Sequence, residues 1–455
     1  MIATRSLLIN GERVAESGVN GSRRTAILAL LGSALAVIYA TLALWDGYRA
    51  RPILAISLIL LAFVVYLLAI ATSRPLTGAG ALIVAIVGGL LFRLLLFPEP
   101  PFLSDDFLRY LWDGQVQAAG LNPFRYAPAD AALAGINDAL RARVNHPQVP
   151  TIYPPLAQLA FLAAAALPGG WMGLKLLWLL CDLGVATLLW RLVPNDWRLG
   201  AWTLYWWSPL VVVEGAWNAH LDLLGVFPLV LALALARRSR GRAAAIGAAL
   251  ACAALVKYFA AGLLPAAARG ARPARVIAAF AGTALALYMP YLGAGPKLLT
   301  GLFTYARQWR FNDGLYHVLA WIATPTAARF VAAAIVLLIV MQSARNRWDL
   351  ERAAFWITGS ILILSPTLHP WYLLWMVPLI AIRPNPAWLY LSGSILLAYY
   401  GLGTFRASGV WPEPWWLKLT IHGPFLILLL VHGWRGSWYQ AAAEALLERR
   451  SGGAG

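Results

Sequence analysis

The side chains that could perform chemistry lie in a few short polar stretches between long apolar segments. The most prominent are the adjacent Asp105 and Asp106, because a carboxylate can act as a general base and take a proton from an attacking hydroxyl. Residues suited to binding a polar substrate, by hydrogen bonds or aromatic stacking, are Tyr153, Asn218, His220, Asp222, His317 and Trp371. Residues suited to holding a phosphate and stabilising its charge are Lys257, Lys175, Arg310 and His369. Together these residue types suit the transfer of a group carried on a lipid phosphate.

Composition indicates that a membrane positions these residues. Of 455 residues, 61% are hydrophobic and 12% are charged, whereas soluble domains have roughly 45–50% and 25%. The mean hydropathy is +0.68. These values exclude a secreted disulfide scaffold, a nucleic-acid-binding domain, a coiled coil and a disordered chain. Cys181 and Cys252 both lie in apolar stretches, so no disulfide framework is predicted.

The apolar runs predict an all-α polytopic membrane protein with about 12 transmembrane helices. The predicted spans are 25–45, 52–72, 80–97, 171–193, 199–214, 216–236, 275–293, 327–343, 353–366, 370–382, 386–402 and 415–432. A further apolar piece, 243–268, is flanked by Arg on both sides, and such flanks favour the cytoplasm. It is therefore predicted to be a re-entrant hairpin of two half-helices that breaks near Lys257.

The charge distribution orients these spans. Lys and Arg are roughly twofold more frequent in the segments assigned to the cytoplasm than in those assigned outside. The predicted organisation is a cytoplasmic tail (1–24), an extra N-terminal transmembrane hairpin (25–72), a main transmembrane domain (80–432) and a second cytoplasmic tail (433–455). The first extracytoplasmic loop, 98–154, is large and should contain short helices. The chain is thus expected in the cell (inner) membrane as a multi-pass protein, with its site on the extracytoplasmic face. The same distribution explains the net charge of +17 without nucleic acid as a partner.

The loop residues also have structural interpretations. Ser104 or Asp105 is a suitable N-cap for a helix over 107–117. Capping and catalysis are therefore both open for the adjacent carboxylates. Arg109 and Asp113 are four residues apart, which predicts an ion pair on the surface of that helix.

Among the residues placed within the membrane, Lys257 most strongly indicates a specific role. A lysine at the bilayer centre costs about 2.5–3.5 kcal/mol, so it needs an anionic partner or a water-filled cavity. The partner could be Asp182, Asp222 or a donor phosphate. Arg93 and Lys175 lie in the outer halves of spans, where snorkelling to the interface is a structural alternative. The outer His residues lack metal-ligand spacing, so no metal and no other cofactor is predicted.

Several motifs together resemble a known family. In chain order they are Ser104-Asp105-Asp106-Phe107, Gly120-Leu121-Asn122-Pro123-Phe124, Thr151-Ile152-Tyr153-Pro154-Pro155-Leu156, Lys175, Cys181-Asp182-Leu183, Ser208-Pro209-Leu210, Asn218-Ala219-His220-Leu221-Asp222 and Ala254-Leu255-Val256-Lys257-Tyr258. The series resembles the multi-spanning glycosyltransferases of the GT-C superfamily. It is most similar to mannosyltransferases of the glycosylphosphatidylinositol type and their bacterial polyprenyl-phosphate-mannose-dependent relatives. The similarity covers about residues 80–270, with a weaker match at 369–375.

The resemblance implies a hexosyltransferase. Such enzymes transfer a sugar, by default mannose, with inversion from a polyprenyl-phosphate donor to an extracytoplasmic glycan or lipid acceptor. An acidic residue of the first large loop is their expected base, and Asp106 matches the second Asp of the family's Asp-x-Asp-aromatic pattern. Ser104 replaces the first Asp, and the other carboxylate is at Asp105. This departure leaves open which of the two acts, and it disfavours a metal bound by that pattern.

A transporter or flippase of a lipid-linked or small anionic solute is the alternative. It would use Lys257 and Asp222 as a coupling pair near the bilayer midplane, beside a broken helix. A transporter needs polar residues that are reached from both sides of the membrane. The segments assigned to the cytoplasm are short, basic and poor in such residues, so the transferase is favoured.

Overall fold

The computed structural model describes residues 2–237, 241–270 and 272–432, without the side chains of residues 2–19 and of Asp196. Within these ranges the chain is helical and contains no β-strand. The all-α prediction is confirmed. The tail predicted at 433–455 lies outside the described residues.

Seven helices are long and apolar enough to cross a membrane. They are Asn20–Leu44, Pro52–Ser73, Ala79–Leu96, Trp171–Leu192, Pro273–Gln308, Pro325–Arg345 and Trp415–His432. They match seven of the predicted spans, which confirms a helical membrane protein. The first belongs to a longer helix, Ile2–Leu44, so the segment predicted as a tail continues that helix. The other predicted spans correspond to shorter or broken helices, and the count of 12 stays a prediction.

Two of the broken helices carry polar residues of interest. The predicted span 199–214 consists of the helix Arg198–Trp206, a short turn at Pro209–Val211 and a π-helix at Val212–Trp217. Proline has no backbone N–H to continue a helix, so a break before Pro209 is expected. The helix Asp222–Arg237 follows.

The predicted hairpin at 243–268 is also broken. The helix Ala243–Ala254 ends three residues before the 3₁₀ helix Tyr258–Leu263, and a last turn runs over Leu264–Ala267. The break near Lys257 is therefore confirmed, whereas the re-entrant course of this segment stays a prediction.

The loop predicted to lie outside, 98–154, contains short helices, as predicted. They are Asp106–Ala118, Ala131–Leu133 and Asp138–Arg141. The remaining short helices of the chain are Gly47–Ala50, Pro155–Ala165, Asn195–Trp197, Gly314–Ile322, Leu350–Leu364, Pro370–Trp375, Val377–Ile382, Pro386–Ser394, Ile395–Gly401 and Leu402–Ser408. The helical segment after Pro273 bends at Gly295, whose φ of 54° suits glycine.

The first helix of the loop is fixed by a buried ion pair. Nε of Arg109 lies 2.9 Å from Oδ1 of Asp113, and both side chains are buried. Nε2 of Gln158 donates to the other oxygen of Asp113 at 3.0 Å. The predicted pair is present, but its predicted place on the helix surface is wrong, because the helix Pro155–Ala165 packs over it.

Arg93 forms a second buried ion pair, with Asp182, and does not reach the membrane interface. Arg93 is fully buried, and its Nε donates to Oδ2 of Asp182 at 2.5 Å. The hydroxyl of Tyr205 donates to Oδ1 of the same carboxylate at 2.7 Å. The guanidinium of Arg93 also lies over the ring of Trp206, 3.6 Å from its centroid. Arg93 therefore does not snorkel, and Asp182 is engaged here and not with Lys257.

Candidate functional site

The loop 98–154 presents two carboxylates in different environments. The helix begins at Asp106, whose backbone N–H donates to Oγ of Ser104 at 3.3 Å. The side chain of Asp105 makes no capping hydrogen bond; it is exposed and accepts a hydrogen bond from Nδ2 of Asn145 at 2.9 Å. Asp105 occupies the N-cap position, but no side chain caps the helix, and Ser104 lies one residue before that position. The carboxylate of Asp106 is left free for other interactions.

Burial sets the protonation of Asp106. Its half-buried carboxylate is shielded from water, which disfavours the charged form and raises its pKa to about 6. The charges of His220 and Lys257 oppose this rise, whereas those of Asp105 and Asp222 add to it. A carboxylate with this pKa is suited to accept a proton near neutral pH. The charges that act on Asp106 therefore come from the broken helices as well as from its own loop.

Lys257 forms its ion pair with Asp222. Nζ of Lys257 donates to Oδ1 of Asp222 at 2.7 Å, and Nε1 of Trp375 donates to the same oxygen at 2.7 Å. Nζ also lies 3.7 Å from the ring centroid of Tyr372. Asp222 is fully buried, and its Oδ2 has no hydrogen-bond partner among the described residues. Of the partners considered for Lys257, the structure shows Asp222, and a contact with a donor phosphate stays a prediction.

A column of four stacked rings lies beside this pair. His220 stacks on Trp371 at 4.0 Å between centroids, and Trp371 stacks on His369 at 4.3 Å. His369 stacks in turn on Phe311 at 4.6 Å. Both faces of Trp371 are therefore covered, and the predicted stacking of this ring on a sugar is wrong. His369 is next to the ring of Tyr372, which places it in the same cluster as Lys257.

Glu214 is a residue of the site that the sequence analysis missed. It is fully buried in the π-helix, and the hydroxyl of Tyr399 donates to its two oxygens at 3.0 and 3.1 Å. Nδ1 of His220 lies 2.8 Å from Oε2 of Glu214, but without the alignment of a hydrogen bond. A carboxylate inside a predicted span is functional by default, so its position in 199–214 was a usable signal.

Asn218 and Tyr153 are placed near Asp106 in different ways. Both groups of the Asn218 carboxamide are bound within the protein, which does not support its predicted contact with substrate. Tyr153 is buried with its ring edge-on to Tyr110 at 5.1 Å and to Phe161 at 5.5 Å. Burial, followed by the charge of Asp106, raises the pKa of Tyr153 well above its usual value. Tyr153 therefore keeps its proton at neutral pH, and it is not a candidate base.

Lys175 does not join this cluster. Its buried Nζ donates to the backbone carbonyls of Leu96, Phe97 and Glu99, where the helix Ala79–Leu96 ends. A cation is favourable at a helix C-terminus, where carbonyl groups are left unpaired. Three carbonyls occupy the three donors of this ammonium group, so the structure does not support its predicted contact with a phosphate.

Arg310 and His317 belong to a second polar cluster, which is centred on Asp313. Nε of Arg310 donates to Oδ2 of Asp313 at 3.0 Å, and Nζ of Lys418 donates to Oδ1 at 2.6 Å. Nδ1 of the exposed His317 lies 3.4 Å from Oδ1 of Asp313. These contacts join the chain after Phe311 to the helix Trp415–His432. The structure thus gives Arg310 and His317 partners other than the residues around Lys257.

No protein-family model, curated protein or solved structure matches this chain. The similarity to GT-C glycosyltransferases therefore stays a prediction. Among the described residues, no group of three His, Cys, Asp or Glu side chains could hold a metal ion. What the site offers is a carboxylate with a raised pKa, a fixed ammonium group and three buried polar atoms, both ring nitrogens of His220 and Oδ2 of Asp222, with no hydrogen-bond partner among the described residues.

Proposed function

We propose that this chain transfers a sugar from a polyprenyl-phosphate donor to an extracytoplasmic glycan or lipid acceptor. Asp106 is the general base, and mannose is the sugar expected from the family resemblance. The observation that carries the proposal is that Asn218 binds the backbone of Phe102 and Leu103, which holds the chain before Asp106 against the segment whose Asp222 pairs with Lys257. This placement combines a proton acceptor with a fixed cation where a polar loop meets apolar helices. Such a border suits a substrate with a sugar phosphate on a lipid chain.

The reaction follows from these two groups. Ionised Asp106 accepts the proton of the acceptor hydroxyl, and the oxygen attacks the anomeric carbon opposite the phosphate. The bond from that carbon to the phosphate oxygen breaks, and its electron pair leaves with the lipid phosphate. The ammonium group of Lys257 stabilises the charge that develops there. The sugar is transferred with inversion at its anomeric carbon. The anomeric configuration of the product therefore tests this geometry.

The buried unpaired atoms support a hydroxyl-bearing substrate. Oδ2 of Asp222 and Nε2 of His220 are fully buried and have no hydrogen-bond partner in the described part of the chain. A buried polar atom without a partner costs about 1–3 kcal/mol. Hydroxyl groups of a sugar would provide that partner, so we assign these atoms to sugar recognition. Oδ1 of Asp222 meanwhile holds Lys257 in place.

One observation favours the alternative class. The Lys257–Asp222 pair borders a helix break, as expected for the coupling pair of a transporter or flippase. A transporter, however, moves its solute without changing it. The fate of a labelled sugar therefore separates the two functions.

The test uses purified full-length protein in lipid vesicles. A panel of polyprenyl-phosphate sugars, each labelled in the sugar, is added with candidate acceptors, and products are separated and identified. We expect labelled acceptor and free polyprenyl phosphate to form in equal amounts, and neither to form with Asp106→Asn. Movement of intact labelled donor across the vesicle membrane, with no labelled acceptor from any sugar, would instead assign a flippase.

A further inference from the structure

The residues just before the catalytic loop helix are held by side chains from distant parts of the chain. We call residues 100–103 the anchor segment. Nε1 of Trp217 donates to the carbonyl of Pro100 at 3.1 Å, and Nη2 of Arg406 donates to the carbonyl of Phe102 at 2.6 Å. The ring of Phe102 stacks on that of Trp217 at 5.9 Å. A segment outside the helices is thus fixed by partners 117 and 304 residues further along the chain.

Asn218 provides the central contact. Its Oδ1 accepts hydrogen bonds from the backbone N–H groups of Phe102 at 3.2 Å and Leu103 at 3.0 Å. Its Nδ2 donates to Oε2 of Glu214 at 3.4 Å. Asn218 and Glu214 are both buried almost completely. A carboxamide is the one group of this size that accepts from two amides and also donates to a carboxylate.

We propose that Asn218 is a positioning residue for the general base, joining the anchor segment to Glu214. The inference rests on the proposed function. Only Ser104 and Asp105 separate Leu103 from Asp106, so a displacement of the anchor segment moves the base. A misplacement of about 1 Å in reacting groups can lower a rate by about 100-fold. Asn218 acts through the backbone and does not contact the substrate.

The first test compares two identical substitutions. Asn218→Leu has a similar volume but removes all three hydrogen bonds. Asn122→Leu is the control in the same loop, because Asn122 also joins distant segments, with Nδ2 on the carbonyl of Tyr291 at 3.0 Å. We expect Asn218→Leu to lower kcat by about 10- to 100-fold with the donor KM changed less than threefold. Asn122→Leu should lose thermal stability but keep kcat within twofold.

The second test exchanges donor and acceptor. Asn218→Asp keeps an oxygen that accepts from the backbone N–H groups of Phe102 and Leu103. It also replaces the amide that donates to Glu214 by a second carboxylate, which repels Glu214. In the double variant E214Q/N218D, the side-chain amide at position 214 can donate to the carboxylate at position 218. We expect the double variant to recover most of the kcat lost in N218D. A double variant no more active than N218D, or full kcat in N218L, would overturn the positioning role.

A third measurement does not depend on activity. Hydrogen–deuterium exchange of a peptide covering residues 100–106 reports directly on the anchor segment. We expect faster exchange in N218L than in the wild type and in N122L. If the wild type transfers no sugar but this difference appears, the proposed function fails and the anchoring by Asn218 stands. If exchange is the same in all three proteins, the anchoring itself is refuted.

Discussion

Replacing Asp106 with Asn should abolish turnover without lowering stability at neutral pH. Burial raises the pKa of Asp106 from 3.8 to about 6. This change corresponds to at most about 3 kcal/mol against the ionised form, and less where water reaches the half-buried side chain. Between these two pKa values the folded protein holds a proton that the unfolded chain has lost. The free energy of unfolding therefore decreases as the pH rises through this window.

Asparagine is nearly isosteric with Asp and carries no charge at any pH. We therefore expect wild type and Asp106→Asn to have similar Tm values at pH 4. At pH 7.5 the variant should be equal or higher by up to a few degrees, because about 1 kcal/mol shifts Tm by roughly 2–4 °C in large domains. Thermal unfolding in detergent across this pH range measures the difference. A variant that is less stable at pH 7.5 would assign Asp106 to a structural contact.

Turnover provides the second half of the experiment. The wild-type kcat should fall about tenfold per pH unit below pH 6, because only the ionised carboxylate accepts a proton. Asp106→Asn should be at least about 100-fold slower at pH 7.5. Asp105→Asn is the matched control, since Asp105 is exposed and already paired with Asn145. Near-normal kcat in both variants would refute the general-base mechanism.

Three further outcomes are expected. Lys257→Met should raise the donor KM by about tenfold or abolish turnover while the protein still accumulates; an unchanged KM would make Lys257 a purely structural partner. Arg93→Met should lower the free energy of unfolding by about 3–5 kcal/mol, because buried Asp182 loses its counter-ion and keeps only the Tyr205 hydroxyl, and adding Asp182→Leu should restore much of the loss. A cysteine at the exposed Ala131 should react with an impermeant thiol reagent in intact cells; labelling only after lysis would reverse the predicted orientation.

The sequence was sufficient to predict features that depend on local composition. Long apolar runs fix the ends of helices such as Pro52–Ser73 and Trp171–Leu192 to within a residue or two of the structure. The break near Lys257 was predicted because basic residues flank both sides of its segment. Asp222 was among the predicted partners of Lys257, beside Asp182 and a donor phosphate, because a buried ammonium group needs a counter-charge.

Features that depend on tertiary contacts were not predicted. Trp371 was predicted to stack on a sugar. In the structure His220 and His369 stack on its ring instead, and nothing in the sequence near Trp371 indicates these contacts. Arg93 was assigned to the interface, since nothing local indicates that Asp182 lies beside it in the fold. Glu214 was not predicted as a site residue, because it lies inside an apolar run. Its environment is set by Tyr399, which is 185 residues away in the chain.

The anchor segment also has a consequence for the order in which the protein is made. Tyr48, at the turn of the N-terminal hairpin, contacts the rings of Phe102 at 4.9 Å and Trp217 at 5.6 Å. A chain is synthesised from its N-terminus, so Tyr48 is already present when residues 100–103 leave the ribosome. Trp217 follows more than a hundred residues later, and Arg406 completes the contacts near the end of the chain. We therefore expect Asp106, the proposed base, to reach its final position only after residue 406 has been synthesised.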